Sequence, residues 1–374
     1  MQGYSEIDHV MMARALRLAE RGAWTTRPNP MVGCVLVRDG EVVGEGWHRR
    51  PGGAHAEVLA IEAAGDSARG ATAYVSLEPC AHTGRTGPCA DALIAAGVSR
   101  VVAAMRDPFP QVDGSGFDRL RAAGIEVAHG LMDAEAQALN RGYVSRLVRG
   151  RPWLRVKLAM SLDGHTALES GESKWISGEA SRRDVMRWRA RSGALLTGSG
   201  TVMADDPQLT VRLEDDAEVA PPLRVVLDPG LATIARGRVR EGDAPTLYVH
   251  AANAKPPRDF GSERVSVPAV GNALDLAAVL RVLADRGINE VQVEAGATLA
   301  GAFMRAGLVD EVLLYIAPVL LGAQARPLFA GLQIQDMTQR MRMHVQESVS
   351  VGDDLRLRLV PLPAAVDADA GAAG

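Results

Sequence analysis

Over residues 1–150 the chain switches repeatedly between the two-residue rhythm of a strand and the three-to-four-residue rhythm of a helix. Ile7, Val10, Met11, Ala15 and Leu18 recur at helical spacing, and Ser5 with Asp8 resembles a capping pair at the start of that helix. Two β-rich runs, "MVGCVLV" and "EVVGEG", flank Asp39-Gly40, a primed-turn dipeptide, and so predict a hairpin. "HAEVLAIEAAG" reads as a helix ended by Gly65, "ATAYVSL" as a strand, and "PCADALIAAG" as a helix ended by Gly97. "RVVAAM" is a strand, "DRLRAAG" a helix and "IEVAHG" a short strand. "DAEAQALNRGYVSRLVRG" follows as one long helix. This β-β-α-β-α-β order predicts a single sheet with helices on its faces.

The rhythm changes at "RGRPW", Arg149 to Trp153, where Pro152 stops the helix because the residue before a proline avoids the α region. Strands are expected at "WLRVKLAMS", "ALLTG", "LRVVLD", "TLYVH", "EVQVEAG", "EVLLYIAPVLL" and "LRLRLV". Helices are expected at "EASRRDVMRWRARSG", "DLAAVLRVLADRG" and "TLAGAFMRAG". This half is also α/β, with no internal repeat linking it to the first. The expected division is one domain over 1–150, a second over 151–362, and a disordered tail over 363–374, which lacks bulky core residues.

Composition narrows the class. A length of 374 residues suits two domains. With 47% hydrophobic and 23% charged residues, the chain reads as soluble and globular. A net charge of −4 and the lack of a long basic run argue against a nucleic-acid partner. No apolar run reaches the ~20 residues of a membrane span, and the N-terminus reads as an amphipathic helix rather than a signal peptide. Three cysteines, an odd count, argue against a disulfide framework and for a reducing, cytoplasmic setting.

Candidate chemistry gathers in the first half. His55 and Glu57 open a helix in "HAE"; Cys80 ends a strand after Pro79; Cys89 opens the next helix after Pro88. One histidine and two cysteines leave the fourth position of a tetrahedral zinc open, as catalysis requires. Glu57 is then free to carry protons. A cysteine at a helix N-terminus also has its thiolate favoured by the dipole. The order H-x-E followed by P-C and a second cysteine matches the signature of zinc nucleobase deaminases. The spacing departs from it: eight residues, "AHTGRTGP", separate the cysteines where most deaminases have two. Cys34, mid-strand among apolar residues, reads as core rather than ligand.

"RPNPMVGCVLV", "GWHRRPGGAHAE" and "LEPCAHTGRTGPC" resemble the deaminase half of the bifunctional riboflavin-biosynthesis deaminase/reductase (RibD) family, in which the cysteine loop is expanded as it is here. The resemblance implies a cytidine-deaminase-like α/β/α sandwich with a mixed sheet, and hydrolytic deamination of a phosphoribosyl diaminopyrimidine. Such a substrate wants arginine, hydroxyls and exposed N–H groups for its phosphate, which His82, Thr83, Arg85 and Thr86 offer. Asn29, between two prolines, is placed to hydrogen-bond the pyrimidine edge, and His48 precedes the turn "RRPGG". The segment "DPFPQVDGSG", Asp107 to Gly116, resembles the family's pocket-closing loop.

In the second half, "KLAMSLDGHTA", "SGESKWISG", "TGSGTVMADDPQLTVR" and "VEAGATLAGAF" together resemble the reductase domain of the same pathway, with a dihydrofolate-reductase-like α/β fold. None is G-x-G-x-x-G, so a Rossmann dinucleotide site is not supported. The resemblance implies NADPH-dependent reduction of the ribosyl group to a ribityl chain. It puts Ala159, Trp175, Thr201, Asp205, Gly296, Ala297, Thr298, Leu299, Ala300, Gly301 and Ala302 on the cofactor. It puts Ser173, Arg189, Leu209, Arg212 and Glu294 on the substrate. It also implies a homo-oligomer, through the reductase half. Two rivals remain: a nucleoside or tRNA deaminase, which would want a basic surface and a shorter cysteine loop, and a deaminase whose second domain is degenerate.

Overall fold

The computed structural model describes residues 3–82, 87–214, 217–255 and 261–363. The chain divides into two compact units, one of Met1–Arg151 with short pieces at 218–220 and 287–289, the other comprising the remainder. Thr83, Arg85, Thr86 and residues 364–374 of the expected tail lie outside the described residues.

In the first unit, helix α1 (Glu6–Glu20) is followed by the hairpin β1 (Gly33–Arg38) and β2 (Glu41–Trp47), then α2 (Ala56–Ala64) and β3 (Thr72–Val75). Next come α3 (Cys89–Ala96), β4 (Arg100–Ala103), α4 (Ser115–Ala122), β5 (Glu126–His129), α5 (Asp133–Leu139) and α6 (Arg141–Arg149). The sheet order is β2-β1-β3-β4-β5, antiparallel across β2-β1-β3 and parallel from β3 to β5. The period-two alternation of the strands splits the core into two layers. Cys34, Leu36, Ala73, Val75 and Val101 face Ala60, Leu93 and Leu120 of α2, α3 and α4. Val35, Val37, Tyr74 and Val102 face Met12 and Ala15 of α1 and Ala136 of α5. This is an α/β/α sandwich, and Cys34 is core, as expected.

Two local expectations change. Ser5 and Asp8 form the capping box, but Ile7 and Val10 are exposed, and the buried stripe of α1 runs through Asp8, Met12, Ala15 and Ala19. Asp8 earns burial by accepting from Tyr74 Oη (2.8 Å) and Arg100 Nη1 (2.7 Å). The long helix expected over 133–149 is broken at Asn140, whose carboxamide accepts from Met31 N and donates to Met31 O. That tertiary pair holds Asn140 outside helical backbone geometry (φ −99°, ψ 21°).

The second unit contains β6 (Trp153–Ser161), β7 (His165–Ala167), α7 (Glu179–Arg191), β8 (Ala194–Gly198), α8 (Ser199–Asp205), β9 (Leu223–Leu227), β10 (Thr246–Ala251) and β11 (Glu263–Val267). After the short pair β12 (Ala269–Val270) and β13 (Ala273–Leu274) come α9 (Leu276–Asp285), β14 (Glu290–Val293), α10 (Ala297–Arg305), β15 (Glu311–Ala317), β16 (Arg326–Pro327), β17 (Met343–Val351) and β18 (Asp354–Pro361). Nine strands form one sheet in the order β11-β10-β9-β8-β14-β6-β15-β18-β17. It is parallel from β11 to β15 and ends in the antiparallel hairpin β17–β18. A charged chain crosses this sheet. Arg155, fully buried, donates to Glu290 (2.8 Å) and Glu311 (2.7 Å), and Glu311 also accepts from Arg358 (2.7 Å). Trp188 of α7 lies under the guanidinium of Arg155.

Candidate functional site

The metal candidates come together although Cys80 lies 25 positions beyond His55. His55 caps α2 with extended backbone, and its Nδ1 lies 3.1 Å from Cys89 Sγ and 3.7 Å from Cys80 Sγ. Cys89 is the first residue of α3. Its N–H donates to Cys80 Sγ (3.3 Å), and the next N–H, of Ala90, donates to Cys80 O (3.1 Å). The start of α3 thus grips Cys80 directly, and the eight-residue spacer does not open the site. All three ligand atoms lie within 4.8 Å of one another. A tetrahedral zinc with bonds of about 2.0–2.3 Å places its ligands about 3.5–3.8 Å apart, so this donor set fits that ion.

Charge divides the two sulfurs. Contact with Cys89 holds the Cys80 sulfur down to about 4, and the same contact together with burial pushes the Cys89 thiol up. Contact with Cys80 raises His55. Glu57, two residues into α2, is 3% exposed, and burial, then the Cys80 charge, pushes its carboxyl up to about 7.

A cavity of about 460 Å³ opens over these groups. Asn29, His48 and His82 line it, as does Glu57. His48 is buried, and burial lowers its pKa, which keeps the imidazole neutral. Its Nδ1 donates to Ala54 O (3.2 Å), so Nε2 accepts from Asn29 Nδ2 (3.0 Å). The His48 ring meets the His55 ring edge-on at 5.3 Å. Among the described residues, buried His82 Nδ1 has no hydrogen-bond partner, and its ring lies 5.8 Å from that of Phe109. Arg85 is outside the described residues.

Sequence reasoning missed part of this wall. Glu78, Asp107, Phe109, Tyr143 and Arg146 also line the cavity. Asp107 Oδ1 accepts from Phe109 N (2.9 Å) and Tyr143 Oη (3.0 Å), and burial pushes the carboxyl up to about 6. The Asp107–Gly116 segment, which by resemblance is the family's pocket-closing loop, supplies Asp107 and Phe109 to this wall; its Pro and Gly content alone says only that it is a loop.

In the second unit, Gly296 caps α10 and Gly198 caps α8, neither with a side-chain cap. Ala297, Thr298, Leu299, Ala300, Gly301 and Ala302 form the first turns of α10, and Thr201 and Asp205 lie on α8. A Cβ on Gly296 or Gly200 would meet nothing within 4 Å, so the backbone at both turns stands open to an approaching group. Uncapped helix starts after strands suit the phosphates of a dinucleotide. Ala159 lies on β6, and Trp175 is 71% exposed beneath the Arg182 guanidinium. Ser173 lies in the segment between β7 and α7. Arg189 and Glu294 are brought together: Nε and Nη2 each donate to the carboxylate at 2.7 Å. Arg212 is exposed and bonds Gln208 Oε1 (2.9 Å). The Leu209 side chain is 2% exposed in a core cluster, which leaves only its backbone for a ligand. Lys157 on β6, not singled out from sequence, sits in the field of Glu294 and Arg189, and burial lowers its ammonium.

Comparison with known proteins decides the family. The RibD C-terminal domain matches residues 152–357, and the cytidine and deoxycytidylate deaminase zinc-binding region matches residues 5–105. The chain is 48% identical to the riboflavin biosynthesis protein RibD of Escherichia coli K12 over 363 residues, covering 94% of this chain and 99% of that one. This chain belongs to the RibD family. Its fold is similar to the solved structure of Acinetobacter baumannii RibD (form 1), with a TM-score of 0.88, 43% identity and coverage of 96% and 99% of the two chains. A Thermotoga maritima deaminase/reductase matches at a TM-score of 0.84 and 34% identity, covering 95% and 99%. This RibD-family chain is therefore a bifunctional enzyme of riboflavin biosynthesis, with a zinc-dependent deaminase and an NADPH-dependent reductase in one polypeptide. Both resemblances drawn from the motifs hold. Among the described residues, no helix is long and apolar enough to cross a membrane.

Proposed function

We propose that the first unit converts 2,5-diamino-6-(5-phosphoribosylamino)pyrimidin-4(3H)-one to 5-amino-6-(5-phosphoribosylamino)uracil, and that the second reduces the ribosyl group of this product to a ribityl chain. Support for the substrates comes from the Thermotoga maritima relative, described as a diaminohydroxyphosphoribosylaminopyrimidine deaminase and 5-amino-6-(5-phosphoribosylamino)uracil reductase. One observation carries the deaminase assignment: His55, Cys80 and Cys89 converge with the Glu57 carboxyl buried beside them.

His55, Cys80 and Cys89 hold the metal, and Glu57 moves the protons. Zinc, when bound there, supplies a Lewis acid that makes a water acidic near neutral pH. Glu57 takes one proton from the attacking water and delivers it to the ring nitrogen, then takes the second from the hydroxyl so added and delivers it to the departing amine; water enters and ammonia leaves. The Asn29–His48 pair orients the pyrimidine edge, and His82 takes the phosphoribosyl side of the cavity. In the second unit, NADPH supplies the hydride. Gly296, the turn through Ala302, Ala159, Trp175, Thr201 and Asp205 hold that cofactor. Ser173, Arg189, Arg212, Glu294 and the Leu209 backbone hold the substrate. The three cysteines, all unpaired, support a reducing, cytoplasmic setting. Exposed Val345, Val349 and Leu355 on the outer hairpin support a homo-oligomer through this unit.

Glu57→Gln tests the assignment. Ammonia release is expected to fall by ~100-fold or more. NADPH oxidation with the pre-deaminated substrate stays unchanged, and zinc stays at one per chain. Ammonia release at the wild-type rate overturns the reading.

A further inference from the structure

Glu78 precedes Pro79 and Cys80 yet takes no place in the metal set. Its side chain is 3% exposed. Oε2 accepts from the backbone N–H of Asp107 (3.2 Å) and Gly114 (3.0 Å), and Oε1 accepts from that of Gly116 (3.0 Å). A carboxylate has about four lone-pair sites, so three backbone donors take up most of its capacity. All three donors belong to the Asp107–Gly116 loop. Gly114 and Gly116 also begin α4, so the charge meets the positive end of a helix. The approach is close: a Cβ on Gly116 would lie 1.9 Å from Pro79 O.

The loop held in this way carries Asp107 and Phe109 into the cavity wall. Tyr143 fixes Asp107 a second time, from α6. Glu78 therefore ties the Pro79-Cys80 turn to the 107–116 loop through hydrogen bonds to charge, the stronger kind. We propose that Glu78 is a positioning residue of the deaminase: a buried carboxylate that holds the 107–116 loop in place and so sets how tightly the pyrimidine binds, without acting on the metal set. The inference rests on reading this cavity as the deaminase site.

Glu78→Ala would strand three buried N–H groups and put folding at risk. Glu78→Gln keeps the size but exchanges one accepting oxygen for an NH₂ that faces donors. The glutamine variant is expected to raise KM for the diaminopyrimidine phosphate about 10-fold or more. Its kcat stays within about threefold of wild type. Zinc stays at one per chain, and amide exchange over 107–116 accelerates. NADPH oxidation with pre-deaminated substrate reports that the variant is folded. Tyr143→Phe, which removes the second tether, raises KM in the same direction by less. Unchanged KM with unchanged amide exchange overturns the proposal. So does loss of zinc with collapse of kcat, which would make Glu78 a support of the metal turn instead. Glu57→Gln tests the underlying reading separately, and the amide-exchange result does not depend on it.

Discussion

Single residues in this protein are governed by who shares their burial. Glu294 shows it in the reductase unit. Burial alone would raise its carboxyl, but the Arg189 guanidinium, with help from the Lys157 charge and then Gln292, brings it down to about 2. The Arg189 and Glu294 side chains are 12% and 14% exposed, so neither tolerates losing the other. A carboxyl depressed in the folded state stabilises fully above its ordinary value of 4.5, and that stability is lost as pH falls towards about 2. Glu294→Gln is therefore expected to cost roughly 3 kcal/mol at pH 7, with the gap to wild type closing as pH falls through that window. Urea denaturation of both proteins at neutral and acid pH measures it; a gap that stays constant with pH contradicts the ion-pair account. The same scale separates what was legible. His55, Glu57, Cys80 and Cys89 stand out because few residue types bind zinc or carry its protons, and their order is a motif. Glu78, Asp107 and Tyr143 do not stand out. Their roles are hydrogen bonds to partners 29 to 38 positions away, and an acid or a tyrosine in sequence looks the same whether solvated or buried.

At the scale of elements, periodicity found helices and strands but not how closely they approach. Gly46 on β2 reads from sequence as a residue of a hairpin strand. In the fold it lies under α2, where an added Cβ would sit 2.3 Å from Ala56 O and 2.7 Å from Leu59 Cβ. Helix α2 carries both His55 and Glu57 at its start, so the glycine sets the height of the metal site over the sheet. Gly46→Ala is expected to destabilise the first unit by ~1–3 kcal/mol, and to weaken zinc binding as α2 lifts. Calorimetric melting with a zinc titration checks this, and wild-type values for both would show that α2 moves without consequence. Helix α5–α6 makes the complementary point. Its apolar rhythm runs unbroken, and the break at Asn140 comes from a carboxamide bonded to Met31, 109 positions away. Strand β17 was also missed, although Met343, Val345, Val349 and Val351 alternate with polar residues: Glu347 interrupts the apolar series where the register shifts, and the side chains are mostly exposed.

At the scale of the whole molecule, β17 is the outer edge of the nine-stranded sheet, and Val345 and Val349 on it are 52% and 38% exposed. An edge strand with exposed valines is a template for pairing, and a second copy of this chain is the occupant proposed above. Light scattering of the full chain is expected to give at least twice the 39.6 kDa of one polypeptide, and a single-chain mass refutes it. The amino-acid order by itself determined the α/β class of both halves, the change of rhythm near Pro152, a candidate zinc donor set with its glutamate, and the likeness to RibD enzymes. These are local in the chain: a period, a proline, a motif. Only the tertiary structure decided that the start of α3 closes the long Cys80–Cys89 spacer, that Glu78 and Tyr143 each bond the 107–116 loop, and that Arg189 faces Glu294. Each of these is a contact between residues distant in the chain, and buried polar groups reveal their partners only once burial has removed water as the alternative.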